Sequence, residues 1–201
     1  MGIYENLESI KARIGDARLV VISKTVDVDK ILEVQKLGFS CFGESYIQEA
    51  EWKIKEVNAV QKAEWHFVGH LQGNKAKKAV EMFDVIQSID NEAIARKVDS
   101  YAKQIGKIQD VMIEVNLSED AARYGVRPEA TLSFAHDLSK KQNLKVIGII
   151  AMAPFIEAEK TRPYFRQMKV IFDIVQKHRP TIKWLSMGMS NDYIQAIEEG
   201  A

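Results

Sequence analysis

The feature that most limits what this chain can fold into is a set of apolar runs that do not alternate. Leu19-Val20-Val21-Ile22 is the first of them. A strand with one wet face alternates apolar and polar residues, so a continuous run reads as a strand buried on both faces. Candidate strands, mostly apolar with scattered polar residues, span residues 19–23, 39–43, 65–68, 85–89, 111–116, 146–152 and 184–187. Amphipathic helical segments lie between them. After the first run, Asp27 stands as a helix N-cap, Ile31, Val34 and Leu37 share a face, and Gly38 stops the helix. After the third, Ala76, Ala79, Val80 and Phe83 face inward from a basic helix start. After the fourth, NEAIARKVDSYAKQIG repeats the design and ends in glycine. Alternating β and α elements with near-continuous apolar strands predict a parallel sheet covered by helices.

Seven such strands sit one short of a (β/α)8 barrel of the TIM type. The rival is an open, doubly wound sheet. Its sign is a glycine-rich phosphate turn after the first strand, and SKTVDV stands there without a glycine. The barrel is therefore expected, as one domain over residues 1–201. In both folds a ligand site lies beyond the carboxyl ends of the strands.

Bulk composition narrows the function. Lys plus Arg is 28 and Asp plus Glu is 28, a net charge of zero. A binder of nucleic-acid backbone carries a basic excess, so no nucleic-acid partner is expected. Cys41 is the only cysteine, which argues against a disulfide framework or a cysteine-based zinc site and fits a reducing compartment. The N-terminal MGIYENLESIKARIG lacks the apolar core of a signal peptide. The longest apolar stretch, residues 146–156, is far short of a membrane span. A soluble, cytoplasmic protein with no membrane partner is expected.

The strand ends supply the chemistry. Lys24 follows the first strand directly. A lysine shielded from water at a barrel mouth can attack a carbonyl and form a Schiff base; equally, its stem can lie on the rim with its head in solvent. The second strand ends in Gly43-Glu44-Ser45-Tyr46, and the third in GHLQGNK. MGMS, ending at Ser190, precedes a helix with Ser190 or Asn191 as N-cap. Gly188 lets the backbone approach closely, and free N–H groups there can hold a phosphate; an ordinary capped helix explains the string as well. His66 and His70 are four apart, but the segment reads as strand and loop, so they do not share a helix face and no metal site is expected. Lys75, Lys77 and Lys78 read as a solvated helix face. The helices show no extra apolar face, and a monomer is expected.

The strings VVISKT, FGESYIQEA, EWHFVGHLQGNKAK, IEVNLSEDAARYGV, GIIAMAP and LSMGMSNDYIQAIEEGA together resemble the pyridoxal-phosphate homeostasis protein family, whose fold is that of the alanine racemase N-terminal barrel. They follow the family's order and cover nearly the whole chain. The resemblance implies that Lys24 forms the internal aldimine with pyridoxal 5′-phosphate and that Ser190 binds its phosphate. It also implies that Asn74 and Met152 lie near the cofactor ring and that Ser186 and Met189 shape the pocket. Arg123 stands where many relatives have a lysine, and His70 belongs to a family string without an assigned task.

Two departures stand out. Ser45 replaces the family's usual asparagine. Relatives also continue past EEGA into a strand carrying Arg-Ile-Gly-Thr, which closes the barrel, sets an arginine near the pyridine nitrogen and gives groups to the phosphate. The expectation is thus a shortened or partly ordered form of a longer protein, with its last barrel strand missing and two open strand edges; if that tail is absent, phosphate binding should be weaker. Family resemblance implies a carrier or buffer of the cofactor in vitamin B6 and amino-acid/keto-acid homeostasis, with no established catalysis and no catalytic residues; a module that delivers the cofactor to apo-enzymes is a separate reading that would share the same site. The alternative is a single-domain, racemase-like enzyme acting on an amino acid. A racemase needs a second base, which in bacterial alanine racemases comes from an added domain and a dimer partner.

Overall fold

A computed structural model describes residues 2–118 and 123–201. Helix α1 (Ile3–Ile14) leads into β1 (Val21–Ile22), α2 (Val28–Lys36), β2 (Cys41–Glu44), α3 (Ile47–Val60), β3 (Glu64–Phe67), α4 (Ala76–Met82) and β4 (Val85–Ile89). Then follow α5 (Glu92–Gln104), β5 (Gln109–Glu114), α6 (Thr131–Leu138), β6 (Leu144–Ile150), α7 (Ala158–His178), β7 (Trp184–Ser186) and α8 (Tyr193–Glu198). The seven strands form one parallel sheet in the order β1-β2-β3-β4-β5-β6-β7. A doubly wound sheet must reverse its strand order, because its chain winds both ways from a switch point. This sheet never reverses, so it is the curled wall of a barrel. Among the described residues β1 and β7 each pair on one side only, which leaves a seam between them.

The helices and the outer wall of the sheet are held by apolar packing. On β3, Trp65 and Phe67 are buried against the helices, with Phe42 5.4 Å from Trp65 and Phe83 5.2 Å from Phe67, ring centre to ring centre. Ala76, Ala79, Val80 and Phe83 of the α4 region are fully buried, as their spacing predicts. Asn91 caps α5 by accepting the Ile94 N–H at 2.9 Å. Asp27 occupies the N-cap position of α2, and Gly38 takes φ 89 just past its end.

Three sequence expectations need correction. Strand β1 has two residues, and Ile22 is 45% exposed; it is an edge strand with one paired side, so it cannot be buried as a central strand is. Strands β5 and β6 begin two residues earlier than their apolar runs. Buried Gln109 explains the first shift, since its amide donates to the Asp84 carbonyl at 2.8 Å and so satisfies a polar group inside the wall. The helices also carry an outward apolar pair at i, i+4, Val170 and Ile174 of α7, which the sequence reading passed over.

Candidate functional site

All seven strands run the same way, so their carboxyl ends make one rim. Lys24 follows β1, Asn74 lies between β3 and α4, and Met152 follows β6. Ser186 ends β7, and Met189 and Ser190 lie in the β7–α8 loop. The topology therefore puts every sequence-predicted site residue on that rim. Lys24 and Ser190 come from the two edge strands and flank the seam. Lys24, Asn74, Met152, Met189 and Ser190 are exposed, and Ser186 is partly buried.

The backbone on both sides of Lys24 is held by a buried ionic cluster. Lys53 of α3 has a side chain only 1% exposed. Its Nζ donates to the Ser23 carbonyl at 2.7 Å, to Glu44 Oε1 at 3.2 Å and to Glu49 Oε1 at 2.5 Å. Ser23 Oγ donates to Glu44 Oε1 at 2.8 Å. On the other side, the Thr25 N–H donates to Glu49 Oε1 at 2.6 Å. Thr25 has φ 61, a left-handed conformation that is unusual for a β-branched residue and costs about 1–3 kcal/mol. The residues before and after Lys24 are thus fixed by partners more than twenty positions away, and the turn is held in a shape it would not choose alone. Burial raises the Glu44 carboxyl above its ordinary value, against the pull of its Ser23 and Lys53 hydrogen bonds. Burial also acts to raise Glu49, but the Lys53 and Thr25 hydrogen bonds outweigh it and hold that carboxyl low. Sequence reasoning missed this cluster. Its signal was Glu49 and Lys53 at i, i+4 on one helix.

The β7–α8 loop differs from expectation. Asp192, not Ser190 or Asn191, holds the N-cap position of α8. Its carboxylate accepts the Met189 N–H at 2.6 Å, so one loop N–H is already engaged. The reason is geometric: Gly188 has φ 90, and a Cβ there would stand 2.7 Å from the Ala196 Cβ. The loop turns tightly onto the helix and starts it two residues later. Ser190 keeps an exposed hydroxyl.

A second polar group lies at the ends of β3, β4 and β5. The His70 ring stacks on Tyr124 with centroids 3.5 Å apart, and its Nδ1 is 3.7 Å from Asp90 Oδ2. Burial raises the Asp90 carboxyl, and the His70 charge opposes this. Burial, with the Asp90 charge added, pushes Glu114 up to about 7, while Arg123 opposes it. His70 thus joins three strand ends. The family string 113–126 includes Glu119–Ala122, which lie outside the described residues.

Inside the wall, polar contacts run from one face to the other. Ser186 Oγ donates to Gln87 Oε1 at 3.2 Å, linking β7 to β4. Gln87 Nε2 lies 2.5 Å from His66 Nδ1, and His66 Nε2 lies 2.7 Å from Glu64 Oε1. Arg18 pairs with Glu64 Oε2 at 2.5 Å. A cavity of about 640 Å³ opens at that far, amino-terminal face, lined by Arg18, Glu64, Asp84, Asp110, Lys145 and Trp184 among others. It lies at the opposite ends of the strands from Lys24.

The alanine racemase N-terminal domain model matches residues 2–200. A pyridoxal phosphate homeostasis protein of Aquifex aeolicus is 36% identical over 187 residues, 92% of this chain and 82% of that protein. One from Pasteurella multocida is 32% identical over all of this chain and 93% of its own. The chain belongs to the pyridoxal phosphate homeostasis protein family. Among solved structures, PipY of Synechococcus elongatus with pyridoxal phosphate bound is 33% identical, with a TM-score of 0.91 over all of this chain and 95% of that one. PipY without the cofactor gives 0.93 over the same shares. An alanine racemase of Clostridium difficile, 15% identical, matches 96% of this chain and 50% of its own length with a TM-score of 0.78, a likeness of fold.

Proposed function

We propose that this chain binds pyridoxal 5′-phosphate and carries it as a Schiff base on Lys24. The likeness to cofactor-bound PipY carries the reading. The residues fit the group. An amine at the end of β1, clamped through its neighbours Ser23 and Thr25, is suited to condense with an aldehyde and release water. The exposed Ser190 hydroxyl, beside the close Gly188 turn, serves the phosphate. Asn74 and Met152 serve the ring, and Ser186 and Met189 complete the pocket. Bound cofactor would supply an electron sink. Whether that sink is used separates two functions.

The first is a cytoplasmic, monomeric carrier or buffer that passes the cofactor to apo-enzymes and supports vitamin B6 and amino-acid/keto-acid balance. Among the described residues no helix is long and apolar enough to cross a membrane. The second is a racemase-like enzyme, and the placing of Glu114 favours it: the residue ends β5 on the same rim as Lys24, and burial beside Asp90 pushes its carboxyl up to about 7, where a carboxylic acid can both give and take a proton. Titration with the cofactor, followed by its visible absorption, tests binding; saturation by the native chain and none by Lys24→Ala is expected. Exchange of the Cα proton of amino acids into deuterated water separates the two functions. No exchange beyond the free-cofactor rate supports the carrier. Exchange that falls in Glu114→Gln, with binding retained, establishes the enzyme.

A further inference from the structure

The geometry points to a divalent metal site, for Zn²⁺ or a chemically similar ion, built from Cys41, Glu64 and His66 on the inner wall of the barrel at its amino-terminal face. The backbone makes the site. Cys41 and Glu64 are register partners on the parallel pair β2 and β3, and His66 is two residues beyond Glu64. Side chains repeat every second residue along a strand, so the three point to one face. Their opposite neighbours Phe42, Trp65 and Phe67 are buried on the helix side. The donor atoms lie within 4.8 Å of one another. Thiolate, imidazole and carboxylate together are a set that zinc takes.

One edge of the cluster already matches a tetrahedral ion, and the Glu64 carboxylate must shift to complete it. With a Zn–S bond of about 2.3 Å and a Zn–N bond of about 2.0–2.1 Å, the S···N edge is about 3.5 Å. Cys41 Sγ is 3.5 Å from His66 Nε2. The His66 Nε2 to Glu64 Oε1 distance of 2.7 Å must open by about 0.6 Å to reach its edge. That is the change expected when a shared proton is replaced by an ion. Cys41 and His66 are buried. Glu64 also lines the 640 Å³ cavity, which supplies an entry path and room for water as a fourth ligand. The outer contacts are in place too. Arg18 holds the other Glu64 oxygen, and Gln87 meets the other His66 nitrogen. Turning the Gln87 amide lets its oxygen accept from Nδ1–H, the arrangement metal-bound histidines use. With two anionic ligands the filled site is neutral.

One cysteine and a His66–His70 spacing that spans strand and loop carry no sign of this site; the register of β2 against β3 alone sets Cys41 opposite Glu64. The site stands at the opposite end of the strands from Lys24, joined to the cofactor rim only through Gln87 and Ser186 among the contacts described. In barrels that face serves stability, so bound metal raises the melting temperature.

Titration of the metal-free native chain with Co²⁺, read in the near ultraviolet, tests it. The expected result is a thiolate-to-cobalt charge-transfer band that saturates at one equivalent. It should be displaced by Zn²⁺, absent in Cys41→Ser, and weakened about 10–100-fold in affinity in Gln87→Leu. Lys24→Ala should leave it intact. Should Cys41→Ser fail to fold, X-ray absorption of the native zinc complex decides: one sulfur at about 2.3 Å with nitrogen and oxygen ligands supports the site. No saturable band, or a zinc shell without sulfur, overturns it.

Discussion

Lys53→Met tests whether the buried cluster is what shapes the turn carrying Lys24. The ammonium spends its three protons on the Ser23 carbonyl, Glu44 and Glu49. Methionine keeps the bulk and removes every donor. Glu49 is 21% exposed and can turn to water while keeping the Thr25 N–H. Glu44 is fully buried, and among the described residues its Oε2 has no partner even in the native chain. It would keep only the Ser23 hydroxyl. Breaking a buried pair by removing one partner costs about 3–5 kcal/mol, and the Glu44 position sets this variant in that range. Adding Glu44→Leu removes the stranded carboxylate, so the double variant should regain about 2 kcal/mol. Urea unfolding of the two singles and the double closes the cycle. The same proteins, mixed with pyridoxal phosphate, should form the Lys24 link more slowly wherever the Thr25 turn is loosened. A loss under about 1 kcal/mol for Lys53→Met, or a double variant costing the sum of the singles, would refute the reasoning.

Other consequences follow from the rim. Glu114 is raised to about 7 in the folded chain. The native state therefore holds a proton the unfolded state has released, and stability falls as pH rises from about 4.5 to 7, by about 3 kcal/mol. Glu114→Gln should remove that fall, seen as urea midpoints that converge between pH 5 and pH 8. Gly188→Ala places a Cβ at φ 90 against Ala196. It should cost about 2 kcal/mol in thermal unfolding and weaken cofactor binding more than Ser190→Ala, because it moves the whole loop. Asp192→Asn should keep a cap on the Met189 N–H and strengthen phosphate binding by removing a nearby charge; equal or weaker affinity would count against Ser190 as the phosphate ligand.

Much of the fold was legible because the strands are mostly apolar and the helices repeat their caps and glycine stops. The strand order then followed from parallel βα units. Strand ends were legible where apolar residues bound the strand, as Val85 and Ile89 do β4. Where Gln109 pairs inside the wall, hydrophobicity carries no sign of it. Lys24 could be found because it directly follows a run. Lys53 could not be found the same way, since a lysine on an amphipathic helix reads as solvated until the sheet behind it is known to present Glu44 and the Ser23 carbonyl. Ser190 stood out as a loop residue, but the Asp192 cap depended on the tight approach of Gly188 to Ala196. Cys41, Glu64 and His66 escaped notice because strand register brings them together and sequence spacing does not.

The central claim is that Lys24 is the attachment point of pyridoxal phosphate. Borohydride reduction of the mixture, followed by digestion and mass spectrometry, tests it directly. The reduced adduct should appear on the peptide holding Lys24 and be lost in Lys24→Ala. Should the adduct instead map to other lysines, or survive in Lys24→Ala, the claim is contradicted.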